Sequence, residues 1–424
     1  MFKKILQRSI TYQKLNFLAI NQKKNLQTST NSGEIPEPEF NEEFYCNPAN
    51  KDIIKNDINH RKFARDIDKI LELVNSPKSR QMLLKELEKL PNLTDPRVLE
   101  YNKSGKILRA CENLKKFEFT PKTFSELSKS LKLLQMDQLG PIAGPKSYIL
   151  LGDLAQMEEA LIQYTVRRLM KKGFKLVSVP DILPTKIIER CGLVMDNERH
   201  LVYNLGQHYD KLSLSGTAEM ALAMKLMNCE INVHDLPLKL AAVSRCFRAE
   251  ISNSADEHGI YRVHQFTKVE MFACTDENSS SEFLEELKDI QEDLFTNLGL
   301  QFQTIDMPSH ELGAPAYRKI DIEGWLPGKK DFGELSSCSN CTDYQSRRLK
   351  IRYKNKDGEL KYVHTLNGTA CAIPRMLIAI CETFQTADGN IMVPDKLVPF
   401  MNGKSIIEKQ NVGDMRIYKQ KKKQ

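Results

Sequence analysis

The sequence predicts an α+β fold in which an antiparallel sheet is flanked by helices and preceded by a short N-terminal helical hairpin. Three patterns predict it. Residues 245–272 contain two alternating apolar and polar runs around a stretch of turn-forming residues, which is typical of an antiparallel β-hairpin. Residues 152–172 repeat apolar side chains at helical spacing. Two shorter runs between residues 50 and 90 do the same, and they predict the hairpin of helices.

The first 33 residues differ in composition from the rest of the chain. They contain six basic residues and several Ser and Thr, and no acidic residue precedes Glu34. This composition predicts a mitochondrial transit peptide and a protein of the mitochondrial matrix, and the alternative is a disordered basic tail. Without these residues the formal net charge falls from +7 to about +1, so nucleic-acid binding would depend on local patches.

Composition also limits the class of protein. A chain of 424 residues, 41% hydrophobic and 28% charged, can form two or three globular domains. It has no run of about 18 apolar residues, so the sequence predicts no membrane span. The ten cysteines follow no regular framework and predict reduced thiols. Cys338 and Cys341 form a Cys-X-X-Cys pair, but no further soft ligands follow at finger-like spacing, and we expect no structural zinc there.

The N-terminal third predicts mostly helix. Residues 34–50 are acidic and contain proline, which is typical of a linker. Residues 50–75 have helical spacing, Ser76 and Pro77 interrupt it, and a second arm of about 14 residues follows, about 20 Å long. Residues 97–119 predict two short strands and residues 120–136 a helix that leads to the main domain.

The rest of the chain alternates helices and strands. The helix over 152–172 continues into a strand that ends at Pro180, and Ser215 to Glu219 has the composition of a helix N-cap. Later segments predict a helix over 280–298, a strand from residue 332, and a strand, turn and helix with Arg375 near the helix start. A helix N-terminus beside an arginine is suited to an anion.

The hairpin carries charges of both signs beside rings on one face. Arg248, Glu250, Arg262 and Glu270 alternate with apolar residues such as Phe266. An ordinary sheet would carry Thr, Lys or Ser on its solvated face. Arginines fixed beside carboxylates suit a ligand with phosphates at one end and an ammonium at the other.

The sequence of this hairpin resembles motif 2 of class II aminoacyl-tRNA synthetases. Residues 261–270, Tyr-Arg-Val-His-Gln-Phe-Thr-Lys-Val-Glu, are similar to the seryl-tRNA synthetase family in particular. The helix, Gly173, strand and Pro180 resemble motif 1, and residues 366–394 resemble motif 3. The three motifs follow in family order across residues 146–400. Asn-Gly-Thr-Ala-Cys-Ala and Ser-Arg-Arg-Leu favour the animal mitochondrial branch.

The resemblance implies a domain plan and a reaction. Residues 34–136 would form an N-terminal helical domain with a shortened tRNA-binding arm, residues 137–405 a class II synthetase catalytic domain, and residues 406–424 a basic tail. The protein would be a homodimer. It would activate serine with ATP and transfer the seryl group to mitochondrial serine tRNA.

The resemblance also implies the site residues. The catalytic cations would be Arg248, Arg262 and Arg375, and Mg²⁺ would be held by Glu334 and Ser337 together with the ATP phosphates. ATP would be bound by Arg248, Glu250, Arg262, Phe266, Glu334, Ser337 and Arg375, with adenine between Phe266 and Arg375. Serine would be bound by Thr217, Glu219, Arg248, Glu270, Asn367 and Thr369, of which Glu270 and Thr369 would contact the hydroxyl.

Two features differ from the family pattern. The N-terminal arms lack sustained heptads, and Asp256, Glu257 and His258 precede Gly259 where the family has an arginine, which would weaken contact with the tRNA acceptor end. Two other interpretations stay open. One is a non-catalytic, synthetase-like subunit or regulator of a mitochondrial dimer, and the other is a ligase that loads an amino acid onto a carrier protein.

Overall fold

The computed structural model describes residues 34–63, 65–74, 79–137, 139–193, 201–250 and 259–409. The predicted transit peptide, the interruption at Ser76 and Pro77, the acidic hairpin turn at 256–258 and most of the basic tail lie outside the described residues. Among the described residues, no helix combines the length and apolar character needed to cross a membrane.

An eight-stranded sheet forms the centre of the fold and confirms the predicted α+β class. Neighbouring strands are antiparallel, as predicted, except for the last pair at one edge, which is parallel. In spatial order the strands are Lys106–Arg109, Phe302–Asp306, Arg318–Leu326, Asp331–Asn340, His364–Ala372, Gln265–Thr275, Leu238–Phe247 and Lys175–Leu176.

Helices cover both faces of this sheet, and short strands form smaller sheets around it. The α-helices are Glu42–Tyr45, Lys51–His60, Ile67–Val74, Arg80–Glu88, Pro96–Leu99, Phe124–Leu131, Gly140–Ala143, Gly152–Lys171, Thr185–Arg190, Ala218–Leu226, Ser280–Asn297, Tyr344–Leu349 and Ile373–Thr383. The short strands are Leu134–Gln135, Ile149–Leu150, Ile182–Pro184, Leu212–Leu214, Glu230–Asn232, Arg352–Lys354, Leu360–Tyr362, Ile391–Met392 and Ile406–Ile407.

The strand Gln265–Thr275 has one face in the main core. Its opposite face, which carries the even-numbered side chains, is the functional face of the sheet. The side chains of the strand alternate between the two faces of the sheet, as in any strand. The odd-numbered Val269, Met271 and Ala273 are fully buried in the main core with the three longest helices. The even-numbered Phe272 and Cys274 pack on the opposite face in a second core. The remaining even positions, toward the start of the strand, are polar or aromatic and are therefore available to a site.

The hairpin is more open than the sequence predicted. The first strand ends at Phe247 and the second begins at Gln265. These two residues are register partners, so the connection spans residues 248–264. Arg248 and Arg262 therefore lie beyond the strand ends and not on them. The backbone N–H of Arg248 still donates to the carbonyl of His264 at 2.9 Å, which fixes the base of the connection.

The N-terminal region departs most from the predicted elements. The first arm is broken between Lys51–His60 and Ile67–Val74, and the second arm is Arg80–Glu88, nine residues long. Between residues 97 and 119 there is one strand, and the strand predicted after Gly173 is only two residues long. The helix predicted over 120–136 ends at Leu131. The long helices over 152–171 and 280–297 agree with their predictions.

The break in the first arm has a tertiary cause. Arg61 is 2% exposed, and its guanidinium donates to the carbonyls of Gly313 at 2.5 Å and Ala316 at 2.8 Å. Burial lowers the pKa of Arg61 to about 10. The side-chain amide of Asn92 donates to the carbonyl of Pro315 at 2.9 Å. The N-terminal helices are thus fixed to the loop at 313–316, and continuing the helix through Arg61 would withdraw this contact.

We expect Arg61→Met to lower the free energy of unfolding by about 2–4 kcal/mol, because several buried carbonyls would lose their donor. Urea unfolding followed by far-UV circular dichroism measures it. Arg80→Met is the matched control, since Arg80 pairs with Glu42 on the exposed side of the same helices, and should cost less than about 1 kcal/mol. Equal midpoints for the two variants would show that the Arg61 contact contributes little.

Candidate active site

A cavity of about 180 Å³ lies on the functional face of the sheet, beside the open end of the hairpin. Strands supply its floor, and the start of the helix Ile373–Thr383 supplies one wall. The structure brings all twelve site residues predicted from the sequence into its lining. They are Thr217, Glu219, Arg248, Glu250, Arg262, Phe266, Glu270, Glu334, Ser337, Asn367, Thr369 and Arg375.

A lysine that the sequence analysis did not single out lies on the floor of this cavity. Lys268 is 5% exposed, and its Nζ lies 2.5 Å from Oε2 of Glu270, which is 2% exposed. The two residues share a face because they are two positions apart on one strand. The signal was present in the sequence: Phe266, Lys268 and Glu270 alternate, and the first and third were already assigned to the site.

A threonine from the neighbouring strand completes this cluster. Thr369 is the register partner of Glu270 in the antiparallel pair, so their side chains project to the same side. Its hydroxyl donates to Oε2 of Glu270 at 3.3 Å, and Nζ of Lys268 donates to the Thr369 hydroxyl at 3.4 Å. A small polar group entering here meets an ammonium, a carboxylate and a hydroxyl that are already oriented.

A second carboxylate, which is partly buried, faces this cluster. Glu219 lies in the first turn of the helix Ala218–Leu226, whose N-cap is Thr217. Its Oε1 accepts a hydrogen bond from Nε2 of Gln345 at 2.5 Å. Burial and the nearby Glu270 charge raise the pKa of Glu219, while the hydrogen bond from Gln345 and the charge of Lys268 oppose the shift. Two carboxylates thus face one ammonium, so one negative charge remains to attract a further cation.

Gln345 was also missed by the sequence analysis. It is fully buried on the short helix Tyr344–Leu349, and its Oε1 accepts a hydrogen bond from the hydroxyl of Thr365 at 2.7 Å. This contact fixes the orientation of the amide and turns its Nε2 toward Glu219. No spacing pattern in the sequence connects residues 219, 345 and 365, because only the packing of the two helices on the sheet brings them together.

The other end of the cavity is cationic. The Arg248 guanidinium stands over the Phe266 ring, 5.5 Å from its centroid, and its Nε donates to the carbonyl of Gly216 at 3.3 Å. Nη1 of Arg262 lies 3.1 Å from Oε2 of Glu250. These contacts place two guanidinium groups at the open end of the hairpin, where an anion would be held by charge and by directed N–H groups.

The third arginine, Arg375, lies in the cavity wall formed by the start of the helix Ile373–Thr383. Arg375 Nη1 lies 3.2 Å from Oε1 of Glu334, and its guanidinium stands over the Tyr261 ring at 4.7 Å. Burial alone would raise the pKa of Glu334, but the charges of Arg375 and Lys319 lower it below its ordinary value. The Glu334 side chain is therefore an ionised carboxylate beside a fixed cation.

The oxygens of Glu334 and Ser337 fit a magnesium ion shared with a ligand. Magnesium takes hard oxygen ligands and is usually shared between one or two carboxylates, phosphates and water. No group of three or more His, Cys, Asp or Glu able to hold a metal occurs in the described part of the chain, so phosphates and water would complete the shell. Burial raises the pKa of the Cys338 and Cys341 thiols, which disfavours the thiolates that zinc requires.

A second cavity of about 400 Å³ adjoins the first. The two share Thr217, Glu219, Arg248, Glu250, Arg262 and Asn367 in their linings. The far wall of the second cavity is the loop at 313–316, which Arg61 and Asn92 hold from behind. A ligand in the second cavity would therefore lie next to one in the first.

Comparison with known proteins shows the family to which this arrangement of residues belongs. Residues 203–384, which include all twelve predicted site residues, match the class II core domain of tRNA synthetases (G, H, P, S and T). The serine–tRNA ligase of Treponema denticola is 41% identical over 320 residues, which cover 74% of this chain and 75% of that protein. The chain belongs to the serine–tRNA ligase family.

Other members of the serine–tRNA ligase family agree with this placement. The mitochondrial serine–tRNA ligase of Bos taurus is 40% identical over 345 residues, 80% of this chain. The chain spans somewhat less than two thirds of that relative, 66% of its length. The crystal structure of the seryl-tRNA synthetase from Pyrococcus horikoshii complexed with ATP superposes with a TM-score of 0.74 at 30% identity, over 85% of this chain and 88% of that one.

Proposed function

We propose that the protein is a serine–tRNA ligase of the mitochondrial matrix that charges mitochondrial serine tRNA. The observation that carries the proposal is one cavity in which a carboxylate-rich, hydroxyl-lined end meets an end with three arginines. Such a cavity suits a small amino acid at one end and a nucleoside triphosphate at the other. The names of the bovine and archaeal relatives and the composition of the first 33 residues support the proposal.

Serine binds at the carboxylate end. Its ammonium lies between Glu219 and Glu270, where two carboxylates face the single ammonium of Lys268. Its hydroxyl contacts Glu270 and Thr369, which are already joined at 3.3 Å. Alanine lacks the hydroxyl and would leave these buried polar groups unpaired, and a site of this kind can discriminate strongly on that basis.

ATP binds at the cationic end, and the first step joins the two ligands. A serine carboxylate oxygen attacks the α-phosphorus, the bond to the bridging oxygen breaks, and pyrophosphate leaves. Both reactants are anionic, so fixed cations must offset their repulsion and hold them in line. Arg248, Arg262 and Arg375 all line this cavity and offset the negative charge of the phosphates. When bound at Glu334 and Ser337, Mg²⁺ supplies further positive charge to the phosphates.

The second step transfers the seryl group to the tRNA. A terminal ribose hydroxyl attacks the acyl carbon of the adenylate, and AMP leaves. The adjoining cavity, which shares Glu219 and Arg248 with the first, is where the end of the tRNA approaches. In this proposal residues 137–405 carry both steps, and the short helices within residues 34–136 contribute to tRNA binding without a long coiled coil.

Serine-dependent exchange of pyrophosphate into ATP tests the proposal, with serine, alanine and threonine measured side by side. Charging of a mitochondrial serine tRNA transcript tests the second step. A non-catalytic subunit would give no exchange with any amino acid. A ligase that loads a carrier protein would give exchange with no charging of tRNA.

We expect Arg248→Ala to lower the exchange rate about 100-fold or more, because the variant lacks the cation at the junction of the two substrates. The control is Arg245→Ala. Arg245 lies three residues earlier, on the strand Leu238–Phe247, donates to the Thr267 hydroxyl at 2.8 Å and does not line the cavity. Exchange near the wild-type rate in Arg248→Ala would contradict the role of Arg248, provided that both variants elute at the wild-type size.

We expect the KM for serine to rise as the pH is lowered from about 8 to about 5, because binding needs ionised Glu219. Burial places the folded pKa of this carboxyl above its ordinary value of 4.5, so protonation begins closer to neutrality. Gln345→Met removes the hydrogen bond that favours the ionised form and should move the rise to higher pH. Exchange kinetics measure both profiles, and coincident profiles would exclude a contribution from Gln345.

We also propose that the protein is a homodimer that pairs through the parallel edge of the sheet. Met170 and Leu176 at this edge are 57% and 49% exposed, and the edge strand has unpaired backbone groups. We expect Met170→Glu combined with Leu176→Glu to give a monomer in size-exclusion chromatography with light scattering. Met82→Glu, at an equally exposed methionine on the N-terminal helices, should remain a dimer. A dimer of unchanged stability in the double variant would place the interface elsewhere.

A further inference from the structure

We propose that Lys268 is a specificity-determining residue, which donates the hydrogen bond that the hydroxyl of the amino-acid substrate accepts. This inference rests on the proposed function and adds a residue to the proposed serine site. It follows from the contacts that Lys268, Glu270 and Thr369 make with one another and from the number of protons each can donate.

The direction of each hydrogen bond in the cluster is fixed by the ammonium. Lys268 can only donate, so at 3.4 Å the Thr369 oxygen accepts from it. The single proton of Thr369 is then directed to Oε2 of Glu270, at 3.3 Å. Thr369 therefore has no proton left for a substrate. Glu270 can only accept, and the contacts it receives from these two residues both use Oε2, which leaves Oε1 for a substrate donor.

A substrate hydroxyl both donates and accepts a hydrogen bond, so a site that pairs it fully needs an acceptor and a donor. Glu270 is the acceptor. The other amide donors near the cluster are already engaged: Gln345 with Glu219 at 2.5 Å, and Asn367 with Glu219 and with Cys341 Sγ at 3.8 Å. Lys268 has three protons and uses two of them, on Glu270 and Thr369. Its third proton is the donor available to the hydroxyl.

Because Lys268 is buried, its ion pair with Glu270 serves to position the ammonium and adds little to the stability of the fold. A buried ion pair adds little net stability, because desolvation offsets most of the attraction between the charges. What the Lys268–Glu270 pair does provide is a fixed ammonium on the cavity floor. The pair also explains selection by polarity: a methyl group in place of the hydroxyl would leave both the third proton of Lys268 and Oε1 of Glu270 without a partner.

The test compares serine and alanine in ATP–pyrophosphate exchange by the full-length wild-type protein, Lys268→Met and Lys268→Arg. Methionine has a similar length and shape but no proton to donate. Arginine keeps the charge and the pair with Glu270, but its planar guanidinium places the donors differently. Lys239→Met is the matched control, since Lys239 forms an ion pair with Glu286 at 2.6 Å on the neighbouring strand, outside the cavity.

We expect kcat/KM for serine to fall about 100-fold in Lys268→Met and that for alanine to fall far less, so that the serine-to-alanine ratio narrows at least about tenfold. The KM for ATP should stay near the wild-type value, and Lys239→Met should keep the wild-type ratio. Lys268→Arg should narrow the ratio too, and it decides the question if circular dichroism shows that Lys268→Met is unfolded.

The outcomes separate this proposal from the function on which it rests. If wild-type protein gives no serine-dependent exchange, the proposed function fails and the role of Lys268 fails with it. If wild type exchanges serine but the folded Lys268 variants lose serine and alanine activity equally, Lys268 is only structural, and this proposal alone is overturned. An Arg variant with the wild-type ratio would show that the position of the donor does not set the serine-to-alanine ratio, which also overturns the proposed role of the Lys268 ammonium.

Discussion

The alternation of side chains along the strand Gln265–Thr275 is the constraint on which the rest of the structure depends. Odd positions are packed against the longest helices, and even positions supply the cavity floor and, further along, a second core. A slip of one residue in register would place Lys268 and Glu270 in an apolar core and Met271 in the site. Core packing therefore fixes the register and, with it, the positions of the charged side chains.

Each end of the cavity carries an excess of charge, and the two excesses have opposite signs. Glu219 and Glu270 exceed the single ammonium of Lys268 at one end, and three arginines exceed Glu250 and Glu334 at the other. Each end is left with an excess of the sign opposite to one part of an aminoacyl adenylate. Every one of the three arginines also contacts a ring, a carbonyl or a carboxylate, so the cations are held in position before any ligand arrives.

Much of the fold and of the site could be predicted from the sequence, because local pattern and the three motifs specify them. The helices over 152–171 and 280–297 have regular apolar spacing and strong packing faces, and the twelve predicted residues lie in one cavity. What could not be predicted depends on distant contacts. The helix is broken near Arg61 because this side chain binds carbonyls about 250 residues away in the sequence. Gln345 orients Glu219 only after two helices have packed together.

Lys268 is a different kind of omission, since the alternation of the strand already placed it between two assigned residues. Its role was hidden because a lysine in a strand is usually solvated, and only burial at 5% exposure shows that this one is not. The same reasoning applies to the loop at 313–316. Its sequence is unremarkable in charge, yet four successive carbonyls are bonded by Arg61 and Asn92 while its other side lines the second cavity. The N-terminal helices therefore support the wall of the second cavity without contacting the cluster around Lys268, so the two cavities depend on separate supporting contacts.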